Sequence, residues 1–238
     1  TTGSASTAVG HAALSAATTG GQNSALGYLA LQDLTTATGN TGIGYQAGKD
    51  ITTGTNNTFI GNNSGIAQTT ATDNTAVGHA TLAVNTSGNG LVAVGSNCLD
   101  ANTTGNNNTG IGRSALGSNT EGNKNTAFGK DSLLANTTAN NNTSVGYQAL
   151  KANTTGAQNT AVGSGALDAC TTSDANTAVG YLAATALTTG ATNTCIGSLA
   201  GDAITTGSNN ILIGYQAEVS TATGDNQICI GIDINAGG

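Results

Sequence analysis

Five tyrosines (Tyr28, Tyr45, Tyr147, Tyr181, Tyr215), both histidines (His11, His79) and two of the five basic residues (Arg113, Lys130) share one place in this chain. Each stands directly after a glycine that returns every seventeen residues. Confinement of large amphipathic residues to one column predicts an exposed stripe, and tyrosine suits polar recognition because it offers an apolar ring with a hydroxyl at its tip. The stripe reads as a contact surface for a host-surface glycan or protein. The plainer alternative is a bend with room for a half-buried ring.

No catalytic constellation accompanies these residues. His11 and His79 lie four rows apart, about 19 Å at about 4.8 Å per rung, too far to share a metal. No Ser-His-Asp set, no His-Glu-x-x-His motif and no paired carboxylates recur in register. The Gly-x-Gly runs at Gly42–Gly44 and Gly110–Gly112 come from the repeat itself and lack the following helix and acidic partner of a nucleotide site. Asp73, Asp174 and Asp225 sit at row junctions without the glycine- and aspartate-rich nonapeptide of calcium β-rolls, so they read as turn residues. Cys195 and Cys229 share a column two rows apart, about 9.6 Å by rung spacing, beyond the roughly 7 Å that a disulfide spans. Cys98 and Cys170 lie in other columns, and all four read as small buried apolar residues, with interchain bridges open only if the Cys195 column faces a symmetry axis. The chain reads as no enzyme, with no cofactor and no metal.

The element that must position the stripe is the repeat. Its phrase, clearest as Asn74-Thr75-Ala76-Val77-Gly78, occurs fourteen times without insertion or deletion, and rows of seventeen account for all 238 residues. A fixed short period is the signature of a solenoid, and seventeen residues are too few for a helical pair. The phrase predicts a strand. Its residue before the glycine is always large and apolar and its Thr stands two earlier, so period-two alternation puts both on one face, assigned here to the interior. Between them runs a small column (Ala8, Ala25, Gly42, Ala76, Cys195 and others) that would face outward. An outer face so lacking in polar groups implies cover by a neighbouring chain. The Asn column, four before the glycine, reads as turn plus rung-to-rung amide ladder. After the glycine, Ala-Leu pairs such as Ala115-Leu116 and Ala149-Leu150 suggest a second short strand, and Thr-Thr-Gly a turn into the next row.

The predicted fold is all-β, a parallel β-solenoid (β-roll) of fourteen 17-residue coils forming one repeat domain over residues 1–238. Residues 227–238, with Ile228, Ile230, Ile232 and Ile234, form a cap or junction, and fourteen rungs would reach about 67 Å. Thin apolar content per row, set against the entropy of ordering it, is a second reason to expect an oligomer. The net charge of −7 and the absence of a dense basic patch exclude nucleic acid, and no apolar run reaches a membrane span. With no initiator methionine or signal segment, the chain reads as processed or a fragment. The opening Thr1-Thr2-Gly3 stands in phase with Gly238, so head-to-tail stacking into a filament is geometrically allowed. Asn-x-Thr sequons at Asn56, Asn102, Asn136 and Asn153 permit glycosylation in a secreted setting.

Rows such as Asn142-Thr143-Ser144-Val145-Gly146-Tyr147-Gln148-Ala149-Leu150, then Asn153-Thr154-Thr155-Gly156, resemble the head repeats of YadA-like trimeric autotransporter adhesins and the repeats of phage tail fibres. The resemblance covers essentially the whole chain, although the adhesin head repeat is typically shorter. It implies a left-handed parallel β-roll that trimerises, extracellular on a cell surface, secreted fibre or virion, serving as a rigid adhesin head or tail-fibre shaft. The alternatives are a subunit of an end-to-end filament and an ice-binding β-solenoid, the latter from the regular Thr columns.

Overall fold

The computed structural model describes residues 5–234. The chain is all-β, with no helix among those residues, and forms two compact units, one through Glu121 and one from Gly122. The first carries β1 (Thr7–Val9), β2 (Ser24–Leu26), β3 (Thr41–Ile43), β4 (Thr58–Ile60), β5 (Thr75–Val77), β6 (Val92–Val94) and β7 (Thr109–Ile111). The second carries β8 (Thr126–Phe128), β9 (Thr143–Val145), β10 (Thr160–Val162), β11 (Thr177–Val179), β12 (Thr194–Ile196), β13 (Ile211–Ile213) and β14 (Ile228–Ile230). Within each unit successive strands pair in parallel, and every residue lies opposite its counterpart seventeen positions on, as in Thr41↔Thr58 and Thr160↔Thr177. Each unit is a parallel β-solenoid with one strand per row.

The row glycine explains the close stacking. Gly27 has φ +145°, and a Cβ there would lie 2.2 Å from the carbonyl oxygen of Gly44 in the next row. Any side chain would therefore push the rows apart. The rung-to-rung bond beside it, Gly44 N–H to Leu26 C=O at 2.9 Å, depends on that approach.

The interior is opposite to the expected one. The small column points inward, with Ala76, Ala93, Ala127, Ala161 and Ala178 fully buried. The Thr and β-branched columns point outward, leaving Ile43, Ile60, Phe128, Val162 and Ile196 exposed. The physical reason is space. The small column packs against the Leu column across the coil: a Cβ on Gly42 would lie 2.7 Å from Leu31 Cγ, and one on Gly201, in the Leu column, 2.7 Å from Cys195 Sγ, so the bulky Leu supplies the volume that the strand does not. Cys195 and Cys229 are thus core residues and do not face a symmetry axis; all four cysteines are free and buried. Burial pushes the Cys98 and Cys195 thiols up to about 12, which keeps them protonated and inert.

The predicted second strand is a bend. The second and fourth residues after the glycine take left-handed backbone in row after row, as at Leu29 (φ 55°) and Leu31 (φ 50°), which no strand tolerates. Its amides still bond along the stack, Leu31 N–H to Ala47 C=O at 3.0 Å and Leu150 N–H to Ala166 C=O at 3.0 Å. Hydrogen bonding thus continues where strand geometry stops.

The Asn column forms the expected ladder, and it is buried. Asn40 Oδ1 accepts the Asn57 backbone N–H at 2.9 Å, Asn57 Oδ1 that of Asn74 at 3.0 Å, and Asn193 Oδ1 that of Asn210 at 3.0 Å. Each Nδ2 donates across the coil to the carbonyl that closes the Thr-Thr-Gly turn, Asn142 to Gly156 at 2.8 Å and Asn193 to Gly207 at 2.8 Å. One side chain per row thereby ties its own strand, its turn and the neighbouring row.

Candidate interaction surface

Three neighbouring columns make the outer face of the strands: Thr, the β-branched residue and, across the glycine, the aromatic column. No charged residue occupies any strand position among the fourteen. Val9, Leu26, Phe128, Ile228 and Ile230 are more than half exposed or close to it, at 56%, 50%, 53%, 67% and 63%. Exposed apolar patches are where proteins commonly meet partners, which makes this stripe the candidate surface.

All nine residues of the expected contact stripe are exposed. In the first unit the structure brings three of them together. His11 stacks on Tyr28 with ring centroids 5.1 Å apart, and Tyr28 on Tyr45 at 5.2 Å with planes 8° apart. His79 and Arg113 lie further along the same column. In the second unit the Lys130 ammonium sits 5.3 Å over the Tyr147 ring and 3.3 Å from Asp131, while Tyr181 and Tyr215 are each flanked by non-aromatic rows. No group of three or more metal-ligating side chains occurs among the described residues.

Two of the junction aspartates bond between rows. Asp174 Oδ1 accepts the Ala157 N–H at 2.6 Å and Asp225 Oδ1 accepts the Ser208 N–H at 2.6 Å, each reaching back one row. Three of the four sequon asparagines are corrected by the structure. Asn102, Asn136 and Asn153 are fully buried in further amide ladders, Asn102 Nδ2 to Asn85 Oδ1 at 2.8 Å in the first unit and Asn153 Nδ2 to Asn136 Oδ1 at 3.1 Å in the second. A buried amide bonded into the core is not a glycan acceptor. Only Asn56 is exposed, and its Nδ2 bonds Asp73 Oδ1 at 3.2 Å.

The last described rows depart from the repeat. Gln227 takes the Asn position, accepts the Ser220 N–H at 2.8 Å and returns its own amide to Ser220 Oγ at 3.0 Å. The Gln227 amide is thus turned toward Ser220. Glu218 stands where most rows carry Leu, half-buried, with its carboxyl beside that of Asp202 and accepting the Ala203 N–H at 3.3 Å. Burial first, and then the hydrogen bond with Asp202, push it from its ordinary 4.5 up to about 7. The folded state therefore favours protonated Glu218. Its stabilisation is fully present below about pH 4.5 and is lost as pH rises through about 7. Glu218→Gln should flatten this dependence and raise stability at pH 8 by about 1 kcal/mol or less after solvent screening; thermal melts across pH 4 to 9 provide the check. An unchanged pH profile in the variant would rule the role out. The opening Thr1-Thr2-Gly3, Gly238 and the end of the last row lie outside the described residues.

No model of a known protein family matches the chain, and the comparisons with curated proteins and with solved structures find no match.

Proposed function

We propose that the protein is a non-catalytic structural fibre segment that self-associates through the outer face of its strands, as a homotrimer. It acts as an extracellular head or shaft that spaces and presents the aromatic stripe. The observation that carries this reading is the outward face of the strands, which holds no charged residue and presents a large apolar side chain before the row glycine at every rung. Copies aligned in parallel would set like columns against one another, which meets the self-complementarity of a closed cyclic interface. A standard interface buries about 800 Å² per partner, or about 60 Å² per row over fourteen rows, and one half-exposed Val or Ile with its Thr can supply that. The trimeric state itself follows from the resemblance of the repeats to adhesin heads.

Mass in solution, by size-exclusion chromatography with light scattering, tests the reading. Three chains of 22.9 kDa per particle are expected. Ile43→Lys combined with Ile196→Lys, at positions 38% and 39% exposed, should yield folded monomers, because a Lys tolerated in water has to be desolvated at an interface. A parent protein that is monomeric at high concentration would refute self-association. Open-ended mass would favour the end-to-end filament.

A second reading is favoured by the same face. Outward Thr and β-branched residues in rung register make a regular array of hydroxyls and methyls, as an ice-binding surface requires. A monomer with thermal hysteresis would support it, and a trimer without hysteresis would remove it.

A further inference from the structure

The geometry points to Tyr28 and Tyr45 as a site of oxidative cross-linking, where one-electron oxidation joins two neighbouring rows of one chain through a dityrosine bond. Both rings are exposed, at 45% and 47%, so an oxidant reaches them. They are stacked at 5.2 Å with planes 8° apart. They also cannot drift apart, because the rows are bonded on each side of the rings: Gly44 N–H to Leu26 C=O at 2.9 Å, and Gln46 N–H to Tyr28 C=O at 2.8 Å. Two phenoxyl radicals held in adjacent rungs meet without a diffusional search, the circumstance in which intramolecular reaction outruns every competing one.

The chemistry balances with hydrogen peroxide as oxidant and a haem peroxidase as the one-electron catalyst. Each tyrosine gives up one electron and its phenolic proton. The radicals join through a carbon ortho to each hydroxyl, and the two ring hydrogens at the bonded carbons move to the oxygens as the rings regain aromaticity. The two electrons and two protons reduce one peroxide to two waters. The product is a carbon–carbon bond between rows that lack any disulfide among the described residues.

The pair is unique in this chain. Tyr147 lies between Lys130 and Ser164, Tyr181 between Ser164 and Ser198, and Tyr215 between Ser198 and Ile232, so none has a tyrosine in an adjacent row. Tyr147 and Tyr181 are two rows apart, about 9.6 Å, too far for a bond between ring carbons. The inference needs only the geometry of one chain, so it stands or falls separately from the proposed trimer.

The test treats the full-length chain with peroxidase and hydrogen peroxide and then digests it with trypsin. Cleavage after Lys49 releases the peptide of residues 1–49, which holds Tyr28, Tyr45 and no other tyrosine. This peptide should lose the mass of two hydrogens and gain dityrosine fluorescence, while the chain still runs as a monomer on a denaturing gel. Tyr28→Phe and Tyr45→Phe should each abolish the product, and Tyr147→Phe should leave it unchanged. In concentrated urea the yield should fall about tenfold or more, as the rungs no longer hold the rings together. Dityrosine formed only between chains, or formed in peptide 1–49 equally well in urea, would overturn the assignment. So would a Tyr28→Phe chain, shown to be folded by circular dichroism, that still forms it.

Discussion

Gly65→Leu is expected to destabilise the protein strongly in the parent chain and to stabilise it once Phe59 is replaced by Ala. Phe59 is the largest side chain of the small inward column and is fully buried. It fits because the Leu column is interrupted on both sides of it. A Cβ on Gly65 would lie 2.3 Å from Phe59 Cδ1, and one on Gly48 would lie 2.4 Å from Phe59 Cδ2. The ring therefore occupies space into which a side chain at either glycine would project. Phe59→Ala alone leaves that volume empty and should cost about 3–5 kcal/mol. Gly65→Leu alone drives a side chain into the ring and should cost about 1–3 kcal/mol or more. Backbone conformation does not forbid the change, because Leu82 in the next row takes φ 53° where Gly65 has φ 61°. Together the two substitutions recreate an ordinary Ala-and-Leu row, and stability should return to within about 1.5 kcal/mol of the parent. Denaturant melts of the four proteins make the double-mutant cycle. Strictly additive losses would show that ring and glycines do not share one space.

That compensation is visible in the sequence, since the one Phe of the small column sits in the second of the only two adjacent rows with Gly in the Leu position. What the sequence shows plainly is the period, the row glycine, the Asn ladder and the parallel stack, because each rests on identity between rows. Which parity of the strand faces inward is a different question, and size misleads there. Large apolar residues suggest a core, yet the space inside is already taken by Leu116 or Leu150 from the far side of the coil, leaving room for Ala only. The decisive signal lay across the glycine. Tyr147, Tyr181 and the other stripe residues must reach water, and they share parity with the β-branched column, as the buried Asn shares parity with the small one. Taking the stripe as exposed fixes the outward face. The further Asn ladders were hidden for another reason: Asn102, Asn136 and Asn153 precede Thr-Thr, and the sequon they form by coincidence masks an amide that the core requires. The bend was misread because Ala-Leu looks like strand, whereas Leu in left-handed backbone is held there by packing and not by preference.

The Asn ladder makes the second large prediction. Asn57→Ala should cost about 3 kcal/mol or more, although it removes only an amide and no apolar area. Asn57 Oδ1 accepts the Asn74 N–H at 3.0 Å and its Nδ2 donates to the Ala71 carbonyl at 2.9 Å, with every group buried. Truncation leaves one buried donor and one buried acceptor without partners, each worth about 1–3 kcal/mol. The chain itself shows that a single ladder member can be absent. Leu91 holds the Asn position in its row, is fully buried, and takes Asn74 Oδ1 at 2.8 Å through its backbone N–H. A bulky apolar group that fills the site is thus a milder change than a void, and Asn57→Leu should lose less than Asn57→Ala. The neighbouring exposed Asn56→Ala should shift stability by about 0.5 kcal/mol or less. Urea titrations followed by circular dichroism rank the three variants. If Asn57→Ala is no worse than Asn56→Ala, the ladder is incidental to stability, and the rows are held by their strand hydrogen bonds and the Leu column. If the order holds, the recurrence of a polar residue in the core of most rows is explained by the three segments its one amide ties together.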